Sequence, residues 1–464
     1  MNNFFKNKKF LIGVIFLLYL TSCRKFVEID PPKTSLVKKT VFTNDATATA
    51  AIIDVYAKMI FSGYANGTFS GISYNAGLAA DELDLFATRS ADILYANNNL
   101  TPSEGTLNSN FWGNMYQQIF RANAILEGLD NSVGLSNVVK TRIEGEAKFM
   151  RAFAYFYLVN LFGDVPLVLS TDYRINSTMP RTPSLEVYTQ IIRDLKDAQN
   201  TLSEDYLSAN GAVSVERKRI NKFAATAMLS RVFLYQKDWQ NAEIEATKVI
   251  AKTSLYGPTP LGEMFLKNSI EAIWQLAKDN GNTNDVLTFT PVNGTLKPAF
   301  YASFDNSDLR KSNWVIVKTL GANTYYQPFK YKAEVATPIT EYSMVLRLGE
   351  QYLIRAEARA HLGKITGPSS SEADLNYIRN RAGISNATAS TETAILSAIE
   401  KERQFELFTE WGHRWFDLKR TNRADAVLGA LKGNWQSSDQ LWPIPQQEIR
   451  NNPSITNHQN PGYE

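Results

Sequence analysis

Residues 395–420 read ILSAIEKERQFELFTEWGHRWFDLKR. Apolar side chains recur at helical spacing, at Ile395, Ile399, Phe405, Phe408, Trp411 and Trp415, a stripe wide enough to lie deep in a core. Charges intrude on that face. Arg403 stands three residues before Glu406, Glu410 four before Arg414, and His413 four before Asp417, spacings at which partners meet on one helix. Charges this close to four aromatic rings need partners, because a lone buried charge is too costly to keep. The spacing therefore predicts structural ion pairs at Arg403, Glu406, Glu410 and Arg414. Gly412 interrupts the run, which predicts two helical pieces meeting at a bend.

Helical patterning continues outward from this stretch. Helices are expected over residues 45–61, 111–129, 138–161 and 185–202, and a hairpin over 221–235 and 239–250. In the hairpin Ala227, Leu234, Tyr235, Trp239, Ala242 and Ala246 alternate small and aromatic residues much as tetratricopeptide repeats do. Residues 346–362 and 372–381 repeat the pattern around a break at Gly363. The fold class is accordingly mostly α, a tetratricopeptide-like superhelix of helical hairpins. Two segments fall outside it, about 63–110 and 254–343, rich in Gly, Asn, Ser, aromatics and turn residues. They read as loop and small-strand insertions, with a short helix over 76–86 and a strand over 314–318. Loops this long in a compact protein are usually functional.

Catalytic motifs are absent: the sequence holds no GxxxxGK[ST], HExxH, CxxC or GxSxG. Its three histidines, His361, His413 and His458, stand in unrelated contexts, which argues against a zinc site or a Ser-His-Asp triad. The DNGNTND run at 279–285 is rich in oxygen ligands but fits no EF-hand spacing, so neither metal nor cofactor is expected. Asp81, Glu82 and Asp84 form the best carboxylate cluster for a two-carboxylate glycosidase, but read more simply as a capped, solvated loop. The positive signal is aromatic. Tyr74, Tyr95, Trp314 and Tyr325 in the insertions, with Asn97 and Asn98, offer flat apolar faces and amide rims that match the faces and hydroxyls of sugars. In WVIVK at 314–318, alternation turns Trp314 outward if Val315 and Val317 face the helices. Trp112 and Trp274 sit in regular apolar patterns and belong to the core.

The N-terminus reads as a targeting segment. Lys6, Lys8 and Lys9 precede FLIGVIFLLYL at 10–20, a run too short to span a bilayer of ~30 Å. Setting these three aside brings the 49 basic residues to 46, equal to the 46 acidic ones, so charge gives no reason to expect a nucleic-acid partner. Leu20-Thr21-Ser22-Cys23 resembles the lipobox of bacterial lipoproteins, and Cys23 is the sole cysteine. The expected organisation is a signal peptide at 1–22, a lipidated tether at 23–40 and a helical domain at 41–464.

Four stretches carry a family resemblance. ERQFELFTEWGHRWFDLKR from Glu402, LWPIPQQEIRNNPSITNHQNPGY from Leu441, MRAFAYFYLVNLFGDVPLV from Met150 and LRLGEQYLIRAEARAHLGK from Leu346 resemble blocks of the SusD/RagB family of outer-membrane nutrient-binding lipoproteins. The resemblance implies a non-catalytic lipoprotein, anchored to the outer membrane through Cys23 and facing the cell exterior. It would bind oligosaccharides and deliver them to a SusC-like TonB-dependent transporter. Within the family the alternative ligand is a peptide; outside it stand a glycan hydrolase and a repeat scaffold for protein partners. In one respect the chain departs from the pattern: Arg24 and Lys25, not acids, follow the cysteine directly.

Overall fold

Apolar periodicity sets the helices and side-chain caps start them. The computed structural model describes residues 41–278 and 280–463; Cys23, the expected signal peptide and the tether lie outside the described residues. From Phe42 onward the chain forms one compact unit. The scaffold helices, labelled here in chain order, begin with α1 (Asp45–Phe61), whose cap is Asn44, accepting from the Thr47 amide, and not Asp45. There follow α2 (Gly113–Asp130), α3 (Asn137–Phe162), α4 (Ser184–Thr201) and α5 (Lys222–Tyr235). Then come α6 (Trp239–Ile250), α7 (Leu348–His361), α8 (Ser371–Arg381), α9 (Glu392–Leu407) and α10 (His413–Arg420). Asn221 caps α5, Asp238 caps α6 and Ser370 caps α8.

From α2 to α9 each helix packs on the next, giving the expected mostly-α superhelix. The array closes because α3 is buried along most of its length, with Phe149, Phe153 and Tyr157 against Trp274 and Trp411. Trp112 and Trp274 are core residues, as their patterns indicate.

Two expectations about element bounds need correction. The helix expected over 76–86 instead lies at Ile72–Ala79, followed by the strand β1 (Leu83–Leu85). The helix expected from residue 346 starts at Leu348, because Leu346 and Arg347 belong to a strand. Numbered in chain order, the remaining strands are β2 (Ala272–Leu276), β3 (Gly294–Leu296), β4 (Val315–Leu320), β5 (Asn323–Pro328) and β6 (Ser343–Arg347). β2 and β6 pair antiparallel and are wholly buried. The other four form an antiparallel sheet in the order β1-β3-β5-β4. Leu83 opposes Leu296 and Leu296 opposes Tyr326, so this sheet stitches the first insertion to the second.

Gly412 makes the predicted bend between α9 and α10. Its φ of 73° is left-handed, and a Cβ there would lie 2.8 Å from the Ala76 Cβ, so only glycine fits.

Candidate functional site

The C-terminal end of α9 is the electrostatic centre of the molecule. Glu406 is fully buried and receives Arg347 Nη1 at 2.6 Å, Arg310 Nη1 at 3.0 Å and a third guanidinium, that of Arg381. Burial alone would raise this carboxyl, but Arg381, Arg347 and Arg310 together hold it well below the ordinary carboxylate range. Glu410 takes Arg347 Nε at 2.8 Å and Lys330 Nζ at 2.5 Å. Lys330 also donates to the carbonyls of Glu406 and Phe408 at 2.8 and 2.9 Å, and Arg347 Nη2 to that of Glu406 at 2.7 Å. These cations satisfy carbonyls that every helix end leaves open, at the pole where positive charge is favoured.

Ion pairing at Arg403, Glu406, Glu410 and Arg414 is therefore present, but not between the partners that helical spacing suggested. Arg403 Nε bonds Asp417 at 2.7 Å, and Arg414 bonds Asp81 at 2.7 and 2.8 Å. For Glu410 and Arg414 the reason is the bend: Glu410 lies in the turn before Gly412 and Arg414 on α10. Arg403 and Glu406 share α9, but Glu406 is taken by Arg310, Arg347 and Arg381 from other segments.

Sequence reasoning placed Trp314, Tyr74 and Tyr95 on a ligand platform, and the structure buries all three. Trp314 is not within the strand pleat: it caps the short helix Leu309–Asn313, and its indole N–H donates to the Leu261 carbonyl at 3.0 Å. Its ring packs edge-on to Phe265, with the Lys330 ammonium 4.8 Å from the ring centre. The face assignment of WVIVK failed because β4 runs off the body: Val315 is buried while Val317 is 49% exposed. Tyr74 donates its hydroxyl to Asp92 at 3.1 Å, and Tyr95 packs edge-on to Trp442. Asn98 is buried and accepts from Lys432 at 2.6 Å; Asn97 stays exposed.

Tyr325 does reach a surface, half-buried on β5, where Phe86 meets it edge-on at 4.9 Å. Sequence reasoning missed Phe86, which is 41% exposed just beyond β1. On the same sheet Tyr326 stacks on Tyr301 at 4.1 Å and 18°, with the Lys311 ammonium 4.8 Å over Tyr301. Phe69, 47% exposed, carries the Arg89 guanidinium 4.3 Å over its face. Asn293 joins these groups, since its side chain accepts from Arg89 at 3.1 Å and its carbonyl from the Phe86 amide at 2.9 Å. Consecutive on β5, Tyr325 and Tyr326 point to opposite faces, so the Phe86–Tyr325 pair lies on one side of the sheet and the Tyr326–Tyr301 stack with Lys311 on the other. The sequence shows Phe86 and Tyr325 only as aromatics in separate insertions, and the strand register reveals the pairing.

The acidic cluster is not the solvated loop expected of it. Asp81 is held by Arg414 and Asp84 by Lys297 at 3.0 Å, while Glu82 is buried, with Oε1 lacking a hydrogen bond among the described residues. Burial, then the Asp81 charge, pushes the Glu82 carboxyl up to about 8. Oxygens of the 282–285 run are engaged within the protein: Asn282 Oδ1 accepts from the amides of Thr340 and Glu341 at 2.8 Å, and Asp285 accepts from Ser343 at 3.2 Å. Asp279 lies outside the described residues.

Two family descriptions match this chain: one of starch-binding proteins associating with the outer membrane over residues 28–234, and that of the SusD family over 298–463. The chain belongs to the SusD/RagB family. A SusD-like protein of Formosa agariphila is 24% identical, with 96% of this chain and 97% of the relative covered. A solved laminarin-binding SusD-like protein is 25% identical with a TM-score of 0.77, covering 91% of this chain and all of the other. Surface glycan-binding protein A from Bacteroides fluxus is 22% identical with a TM-score of 0.74 over 90% of this chain and 99% of its own, a likeness of fold. This SusD-like chain thus has the mostly-α fold of its family, and none of its described helices is long and apolar enough to cross a membrane.

Proposed function

We propose that this SusD-like chain is a non-catalytic, lipid-anchored outer-membrane protein that binds oligosaccharides and delivers them to a SusC-like TonB-dependent transporter. The observation that carries the reading is the partly exposed ring pair Phe86 and Tyr325 on the four-stranded sheet. A sugar ring laid on Phe86 and Tyr325 covers apolar surface, while Arg89 and Asn293, joined to the Phe86 backbone, supply polar groups nearby. The laminarin-binding and glycan-binding names of the structural neighbours point to the same ligand class. A hydrolytic reading gains no support from Asp81 and Asp84, which are tied up in ion pairs.

Calorimetry against a panel of oligosaccharides tests the site. Phe86→Ala and Tyr325→Ala should each weaken binding by about 1–2 kcal/mol, roughly 5- to 30-fold in Kd, with melting temperature unchanged. Unaltered affinity in both variants removes the ligand from this surface, and oligosaccharide cleavage by the wild type removes the non-catalytic reading. The anchor is tested separately. Cys23→Ser should leave a folded protein absent from the membrane pellet, and its retention there after a high-salt wash would refute lipidation as the attachment.

A further inference from the structure

A cleft of about 760 Å³ opens on the helical array and takes no side chain from the ring pairs of the sheet. It lies between the α5–α6 turn, the end of α7, and α9 and α10. One wall is apolar: Trp239 stacks on His361 at 4.0 Å and 19°, and His361 Nδ1 meets Glu392 at 2.9 Å. The rest is rich in cations. Six basic side chains line the cleft against three carboxylates, Glu357, Glu400 and Asp417.

The pairing leaves positive charge over. Arg420 takes up Glu357 and shares Asp417, while Arg414 turns mainly to Asp81 and meets Glu400 at 3.2 Å. Arg423, half exposed, reaches Glu400 only at 3.4 Å. Lys237 and Lys401 are exposed and make no ion pair among the described residues. Arg403 lines the cleft while 2% exposed. Its Nε is satisfied by Asp417, but Nη1 and Nη2 have no hydrogen-bond acceptor among the described residues. A buried guanidinium fork with two unused nitrogens, in a concave site of net positive charge, suits a carboxylate or sulfate oxygen. The volume is that of a small-ligand site and not of a flat protein interface.

We propose that this cleft is a second ligand site, for a short acidic oligosaccharide bearing a carboxylate or sulfate ester. Its anionic group faces the basic side chains and its ring lies toward the Trp239 wall. The choice of a sugar as the carrier of the anion rests on the carbohydrate-binding reading above; the preference for an anion does not.

The test is calorimetry at low and high ionic strength with three probes: a galacturonate trisaccharide, a sulfated trisaccharide and a neutral glucan trisaccharide. The wild type should bind at least one acidic probe, more weakly at high salt, and the responding arm identifies carboxylate or sulfate. The double variant Lys237→Glu, Lys401→Glu changes only exposed side chains and should lose acidic-probe binding by roughly tenfold or more. The double variant Phe86→Ala, Tyr325→Ala should keep it. Trp239→Ala should weaken the acidic probe without altering its salt dependence. No binding of either acidic probe by the wild type, or equal binding by the lysine double variant, overturns the proposal. So does loss of acidic-probe binding in the Phe86 and Tyr325 double variant, which would place that ligand on the sheet. Failure of the neutral probe alone counts against the aromatic surface and leaves the cleft standing.

Discussion

Glu406→Gln separates a scaffold role for the α9 terminus from a ligand role. The substitution keeps shape and removes one charge from a site where Arg310, Arg347 and Arg381 converge on a single carboxylate. Breaking a buried pair by removing one partner typically costs ~3–5 kcal/mol, since the remaining charge is left uncompensated. Glu271, Glu402 and Glu410 stay in place and offset part of that loss, which argues for the lower half of the range. With an unfolding entropy of about 2 cal/mol/K per residue over roughly 420 residues, 3–4 kcal/mol lowers Tm by about 3–5 °C. The assay is thermal unfolding followed by circular dichroism, repeated across pH. The folded carboxyl sits below its unfolded value of 4.5, so its contribution is present above that pH and is lost as pH falls further. The Tm gap between wild type and variant should therefore be full near neutrality and narrow below about pH 4.5. A variant with wild-type Tm but no oligosaccharide binding would refute the scaffold reasoning.

Two further outcomes follow from burial. Trp314→Ala should destabilise by ~3–5 kcal/mol, because it empties a site packed by Phe265 and Lys330 and orphans the Leu261 carbonyl; a thermal melt reads it, and an unchanged Tm would return Trp314 to the surface. Glu82 stays protonated in the fold up to about 8, so its penalty grows as pH rises from 4.5 to 8, by about 3–5 kcal/mol. Glu82→Gln should remove that decline, giving a higher denaturation midpoint than wild type at pH above 8 and little difference below 4.5; equal midpoints at high pH would contradict it.

The helices were legible because their signals are local. Residues 239–250, for example, declare an amphipathic period within one window, and α6 has those bounds. The ion cluster was half legible. Glu406 and Arg403 had to be paired because they stand among Phe405, Phe408 and Trp415, yet their partners lie in other segments. No spacing rule connects Arg310, Arg347 and Arg381 to one carboxylate. The aromatic surface was least legible, because in insertions a tyrosine or tryptophan has two uses. Tyr74 and Trp314 pack the insertion onto the helices, whereas Phe86 and Tyr325 face out, and the distinction depends on the register of Leu83, Leu296 and Tyr326 across three strands.

The cluster and the surface are one mechanical device. Arg310 stands just before β4 and Lys330 just after β5, so the hairpin carrying Tyr325 and Tyr326 leaves and re-enters the body between two fastened residues. Arg310 is held by Asp308, Glu402 and Glu406, and Lys330 by Glu410 and the last carbonyls of α9. Phe329 extends the clasp, its amide donating to the Trp314 carbonyl at 2.7 Å. Exposure rises along the hairpin, from buried Val315 to the open turn at Gly321. A base fixed by buried ion pairs and a tip free of packing constraint let the exposed rings change without disturbing the core. On the proposed carbohydrate-binding reading, the same clamp would spare Tyr325 part of the ordering cost when a ligand lands.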